Sequence, residues 1–392
     1  MGRRPVPSQL LTSTGQHQDL YVQPEVVTFS HRQAEDLSSH LRQMDTGTSV
    51  YPVSDATEFQ LDEEGRTRVG GYRFTSSAFF QTAQIVAPGL SRFLPDLSGS
   101  IPLPDEYADL VDGRLAISLW NELVDLRFPR FRFHRVIRNE DGKTIEGLMG
   151  SKHQYLENLA LYQYANEAMQ NHQPSVRMYA AQLIGRRLAL WFRNQTPMFS
   201  IQVGEEAWPV YYGYYFTNGE ATGTSVRGTL AIFTRKGICL GPYKRRGGRV
   251  THTGKDFFQR LGKMFTGVTS AEVPEEAIRE GAESLLTKSL GFTVEMDRQG
   301  RRDQTKMLVH TLSHLGVPQN LAAEVVEEGL TVGRSLGQAN FRPMEQVDRL
   351  YASRTTIDLF VPLLGLAKKL DLSRREKLEQ AAFEILTDRF LV

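Results

Sequence analysis

The sequence predicts an α+β fold, an antiparallel or mixed sheet core with a C-terminal helical domain. Between residues 175 and 240 extended segments follow one another without an intervening helix, which argues against alternating βαβ units. On either side the apolar spacing turns helical. The chain has 392 residues and is 40% hydrophobic, more than one small domain needs. The expected organisation is a partly ordered N-terminal arm over residues 1–65, an α+β core domain over 66–265 and a helical domain over 266–392.

Residues 1–65 are rich in Ser, Thr, Gln and Asp and show weak periodicity. One hairpin is expected near their end: Phe59 and Leu61 alternate, an acidic turn closes at Gly65, and Val69 to Phe74 returns. Thr75 or Ser76 then caps a helix carrying Phe79, Ile85 and Val86, which Pro88 and Gly89 stop. A further helix is expected in the segment before Pro129. Alternation resumes at "FRFHRVIRNEDGKTIEGLMG", with Asp141 and Gly142 as the hairpin turn. "QYLENLALYQYANEAM" reads as a helix with Tyr155, Leu159, Tyr162 and Ala165 on related faces. "VRMYAAQLIG", "RLALWFR", "VYYGYYFTNG", "VRGTLAIFT" and "KGICLG" are the strand candidates. From Lys255 onward, helical segments are separated by Gly, Pro or polar turns.

Lys and Arg total 46 against 45 Asp and Glu, so the overall charge of +1 identifies no partner. Cys239 is the single cysteine, which rules out an intrachain disulfide and points to a reducing compartment. With neither a secretory h-region nor an apolar run of membrane-spanning length, the chain is expected in the cytoplasm, away from membranes.

The charge is uneven, however. The stretch "RGTLAIFTRKGICLGPYKRRGGRVTHTGKDFFQR" sets Arg227, Arg235, Lys236, Lys244, Arg245, Arg246, Arg249, Lys255 and Arg260 against Asp256 alone. Its glycines suggest a tightly turned loop around Gly247 and Gly248, with exposed amides and with Lys244, Arg245, Arg246 and Arg249 about the turn. Guanidinium forks and free amides suit a sugar-phosphate backbone. His252, in "THTG", can donate to a phosphate or cap the helix beginning near Lys255, with Thr253 the other cap candidate. Tyr243 can stack on a base. Upstream, Arg130, Arg132 and Arg135 interleave with phenylalanines as a second basic patch. The aromatics of "YYGYYFTNG" either fill a sheet or stack on bases.

Alternatives to phosphate contact are a solvated hairpin paired with acids elsewhere, or a small phosphorylated ligand. No P-loop or dinucleotide fingerprint occurs. His310 and His314 are four apart, but Thr311 stands where a zinc protease has its glutamate, so they read as helix-interface histidines. Cys239 alternates with Ile238 and Leu240 and reads as a packing residue. As an enzyme the chain would use His252 with Mg²⁺ held by acids such as Glu146, Glu157, Glu220 and Asp256. No short constellation announces that arrangement, and no cofactor is expected otherwise.

The order of "GKTIEGLMGSKHQYLENLALYQYANEAM", "YYFTNGEATGTSVRGTLAIFTRKGICLG" and "RVTHTGK" before a helix resembles the domain of unknown function 932 family of phage- and plasmid-like proteins, over about residues 70–265. Gly147, Gly150, Tyr155 and Asn158 take the family's first pattern, with Met149 at its valine position. Thr217, Asn218 and Gly219 follow the second in part, "GEATG" replacing its serine, histidine and aspartate. Cys239, His252, Thr253 and Gly254 match the last. The resemblance implies an association with mobile elements and a DNA transaction.

The expected function is non-enzymatic nucleic-acid binding, with DNA as partner, in replication, recombination or defence associated with a mobile element. The alternatives are a metal-dependent nuclease or nucleotide-processing enzyme, and a self-assembling structural protein whose basic loop meets acidic helices of another copy in a homo-oligomer.

Overall fold

The structure, a computed structural model, describes residues 21–22, 24, 26–86, 113–128, 134–203, 206–221, 224–234, 239–276 and 278–280. They form an α+β fold built on two sheets. The five-stranded sheet is mixed: β1 (Tyr21–Val22), β4 (Arg73–Thr75) and β6 (Thr144–Met149) run parallel, then β5 (Arg135–Asn139) and β3 (Thr48–Pro52) pair antiparallel, in the order β1-β4-β6-β5-β3. The seven-stranded sheet is antiparallel throughout. Its order is β12 (Cys239–Thr251), β11 (Ser225–Phe233), β10 (Glu206–Gly219), β8 (Arg187–Asn194), β7 (Val176–Ile184) and β2 (Val26–Ser30), with β9 (Phe199–Val203) paired to β10.

Each sheet carries its own helices. Against the mixed sheet lie α2 (Ser76–Val86) and α3 (Gly113–Arg127), where Phe79 stacks on Trp120 at 4.5 Å between ring centroids beside buried Phe74, Val136 and Ile145. Thr75 caps α2, its hydroxyl accepting the Ala78 amide. The seven-stranded sheet holds α1 (Ala34–Thr46), α4 (Asn158–His172) and α5 (Phe257–Thr269) over Leu190, Phe192, Tyr214, Phe216 and Ile232. Successive strand residues point to opposite faces, so Trp191, Tyr215 and Phe233 form a separate buried cluster on the other face. Tyr214, Tyr215 and Phe216 are therefore core residues. Half-buried Tyr211 and Tyr179 hold the Arg193 guanidinium between their rings, at 4.5 and 4.3 Å.

The β5–β6 hairpin turns over Asp141 and Gly142 as expected, the Gly142 amide donating to Asn139 Oδ1. Three regions differ from the sequence expectation. Residues 26–65, expected as a partly ordered arm, supply β2, α1 and β3, and Leu37 and Leu41 of α1 are almost completely buried. The apolar stripe of α1 is only Ala34, Leu37, Leu41 and Met44 within a polar sequence, too sparse to announce a helix. The hairpin expected over 59–74 reduces to one bridge, Leu61 to Thr67, because Phe74 pairs instead with Tyr21 and Ile145.

The third difference concerns the basic stretch. Gly247 and Gly248 are not at a turn but lie in β12, opposite Thr229 and Gly228. A Cβ at Gly248 would stand 2.3 Å from Met264 Cγ, so its glycine is what lets α5 lie across this strand. α5 itself spans the expected boundary at 265/266. The helical domain expected over 266–392 falls, beyond residue 280 and with His310 and His314, outside the described residues. No described helix is long and apolar enough to cross a membrane.

Candidate functional site

β12 is an edge strand, and its pairing with β11 is broken where the charge is densest. The register runs Thr229 to Gly247 and then Leu230 to Tyr243, leaving Lys244, Arg245 and Arg246 outside the ladder as a bulge. The backbone bulges there; the side chains of Tyr243, Lys244, Arg245 and Arg246 lie outside the described residues, as do Arg130 and Arg132 entirely. Arg249 is exposed and faces exposed Arg227 directly across the pair. Like charges so placed repel each other. The Arg249 Nε donates to Ser225 Oγ at 3.0 Å. Lys255 is exposed at the foot of α5. Among the described residues, no ion pair engages Arg227, Arg249 or Lys255.

Arg135 is held elsewhere, half-buried, donating to the His153 carbonyl. That carbonyl belongs to a buried polar junction between the two sheets, which the sequence had not indicated. Its hub is Arg186. Gly185, at φ 53°, and Arg186 form the two-residue turn between β7 and β8, and the turn sends the arginine inward instead of to solvent. Its Nε donates to Glu146 on β6, its Nη2 to Thr48 Oγ1 at the start of β3, and its Nη1 lies 3.4 Å from Glu220 Oε2 beyond β10. Thus one guanidinium ties the mixed sheet to the antiparallel one.

Glu220 is completely buried and accepts throughout: from the first amide of α4, Asn158, at 2.8 Å, and from Tyr155 Oη at 3.1 Å. Burial pushes its carboxyl up to about 7, although Arg186 and the Asn158 amide pull the other way. Burial also lifts Asp45, at the end of α1, to about 6, aided by the charge of Glu157 and opposed by Arg186. Asn218 donates to the Leu156 carbonyl and Asn158 Oδ1, both at 2.9 Å. β6 passes so close that a Cβ at Gly147 would stand 2.6 Å from that of Ala221.

His252 is in this junction too, not at the surface. It is 1% exposed, stacked between His153 at 4.6 Å and Phe257 at 5.0 Å, with Nδ1 donating to the Gln154 carbonyl at 2.9 Å. His153 donates from Nε2 to the Glu220 carbonyl at 3.0 Å. Burial lowers both imidazoles, His153 to about 4 with the help of the His252 charge. A neutral ring closed in on both faces cannot grip a phosphate from solvent, and its only other nitrogen is buried without a partner among the described residues. Nor does it cap α5: that position is Asp256, with Thr253 three residues earlier.

The acids named for Mg²⁺ do not surround an open space. Glu146 and Glu220 close on Arg186, Glu157 is exposed beside Asp45, and Asp256 pairs with Arg260 at 3.1 Å. Among the described residues, no three His, Cys, Asp or Glu converge in metal-binding geometry. Gly147, Tyr155, Asn158, Asn218 and His252, far apart in sequence, meet in this one junction, and its chemistry is that of a clamp. The exposed cations Arg227, Arg249 and Lys255 lie on β11, on β12 and at the start of α5. No family model, curated protein or solved structure matches the chain.

Proposed function

We propose that this protein binds nucleic acid, holding the phosphates of DNA along the β12 edge of its seven-stranded sheet. The observation that carries the proposal is the charge of that sheet. β7 brings Arg177, β8 brings Arg187 and Arg193, β11 brings Arg227, and β12 brings Lys244, Arg245, Arg246 and Arg249; the one acid on these strands and β2, β9 and β10 is Glu206. The register break takes three consecutive cationic residues out of pairing with β11 at a sheet edge, and cations with backbone amides at such an edge suit phosphate oxygens. Lys244, Arg245, Arg246, Arg249 and Lys255 are the phosphate ligands in this reading. Backbone contacts of this kind carry no base sequence.

The test is binding of labelled DNA across a salt series. Five phosphate contacts give a slope of log affinity against log salt of about −3.5 for single strands and about −4.5 for duplex. Arg245→Glu with Arg246→Glu should weaken binding to all sequences alike and make the slope shallower by about 2. Affinity that ignores both salt and these substitutions overturns the proposal.

A further inference from the structure

We infer that the phosphate path continues past the end of β12 onto the turn Gly150–His153 between β6 and α4, with Lys152 as a further phosphate contact and Arg135 as its positioning residue. The inference rests on the proposed nucleic-acid reading and extends that site to a second element. The turn is closed by the His153 amide donating to the Gly150 carbonyl at 3.0 Å, which leaves exposed Ser151 and Lys152 at its tip. His153 then forms an antiparallel bridge with Thr253, and the Gln154 amide donates to the His252 carbonyl at 2.6 Å. That register sets Lys152 across from Gly254, next to exposed Lys255 in the chain. Exposed Arg249 precedes the bridge by about 13 Å of extended chain.

The turn differs from an ordinary exposed loop in how it is anchored and in what charge surrounds it. His153 is buried, stacks on His252 and donates to the Glu220 carbonyl, while half-buried Arg135 donates to the His153 carbonyl. A lysine carried on backbone held in this way loses less freedom on meeting a ligand than one on a loose segment. Arg135 thus serves the site by fixing the turn and not by touching phosphate. Around the turn, Lys152, Lys255, Arg249 and Arg227 are all exposed, and none makes an ion pair among the described residues. Of the acids close in sequence, Asp256 pairs with Arg260, and the charge of Glu157 acts on Asp45. Cations gathered without carboxylates repel one another, and an anion laid along them removes the repulsion. Exposed Ser151, Thr251 and Thr253 add hydroxyls, which share phosphate contacts with lysines.

The experiment follows the anisotropy of a fluorescein-labelled DNA duplex and of its single strand across a salt series, using the full chain. Lys152→Gln should make the slope of log affinity against log salt shallower by about 0.9 for the duplex and about 0.7 for the single strand, a loss of about 5- to 8-fold in affinity at about 0.1 M salt. Lys143→Gln, which removes an exposed lysine at the opposite end of β6, should change neither. Arg135→Gln should weaken binding in the parent and add nothing in the Lys152→Gln background; a further loss of about one unit of slope there would make Arg135 a direct contact and overturn its positioning role. A slope unchanged by Lys152→Gln, or lowered as much by Lys143→Gln, overturns the inference while leaving the phosphate reading intact. DNA affinity indifferent to salt in the unaltered protein removes both.

Discussion

Replacing Arg186 by methionine keeps most of the side-chain volume and removes the charge that joins the sheets. Arg186 is 5% exposed, Glu220 is completely buried and Glu146 nearly so; its charged partners cannot turn to water when the guanidinium is gone. Removing one member of such a buried set costs about 3–5 kcal/mol. For a chain with an m-value near 2 kcal/mol/M, the urea midpoint should fall by about 1.5–2.5 M, read by far-ultraviolet circular dichroism.

The loss should depend on pH in a defined sense. The folded-state pKa of Glu220 is raised, to about 7 from 4.5, so the stability it contributes through proton uptake is fully present below about 4.5 and lost as pH rises through 7. Without Arg186 the carboxyl loses the charge that holds it down and takes a proton more readily. The variant should therefore be penalised more at pH 8 than at pH 5. Adding Glu220→Gln should recover part of the loss, because the double variant leaves no charge at that position. A midpoint within 0.5 M of the parent's at both pH values, to take about a quarter of the expected shift, would refute the clamp.

Two further outcomes follow from the same packing. His153 and His252 are both depressed below 6.5, so their contribution is fully present above that value and lost as pH falls toward about 4; thermal midpoints should drop across that window, and His252→Phe should flatten the drop. A pH profile identical in that variant would count against the stacked neutral pair. Leu37→Ala should cost about 2–5 kcal/mol in denaturant unfolding, whereas a residue in a loose arm would cost almost nothing.

Where backbone geometry speaks through neighbouring residues, the sequence was informative. The alternation in "RLALWFR" and "VRGTLAIFT" reveals β8 and β11, Asp141 and Gly142 mark the turn between β5 and β6, and the clustering of arginines along 227–260 needs no coordinates. In α1 the same method had too little to work on, with four apolar residues among polar ones. At Gly247 and Gly248 it misjudged the glycines: both lie within the strand, Gly247 against Thr229 of β11 and Gly248 under the close approach of a helix, and neither makes a bend. Nothing in "IGRRLAL" distinguishes Arg186 from Arg187, and the turn geometry that separates them is local but invisible in residue type.

The chain's order of residues thus settles the alternation of its strands, the α+β class and the concentration of positive charge. Only folding settles which charges are buried. Arg186 meets Glu220 across 34 residues and Thr48 across 138, and His252 meets Gln154 across 98. Strand periodicity is imposed by each segment's own backbone, so it can be read in one dimension. Burial of a charge or an imidazole depends on partners brought from distant strands, and that is a property of the packed sheets alone.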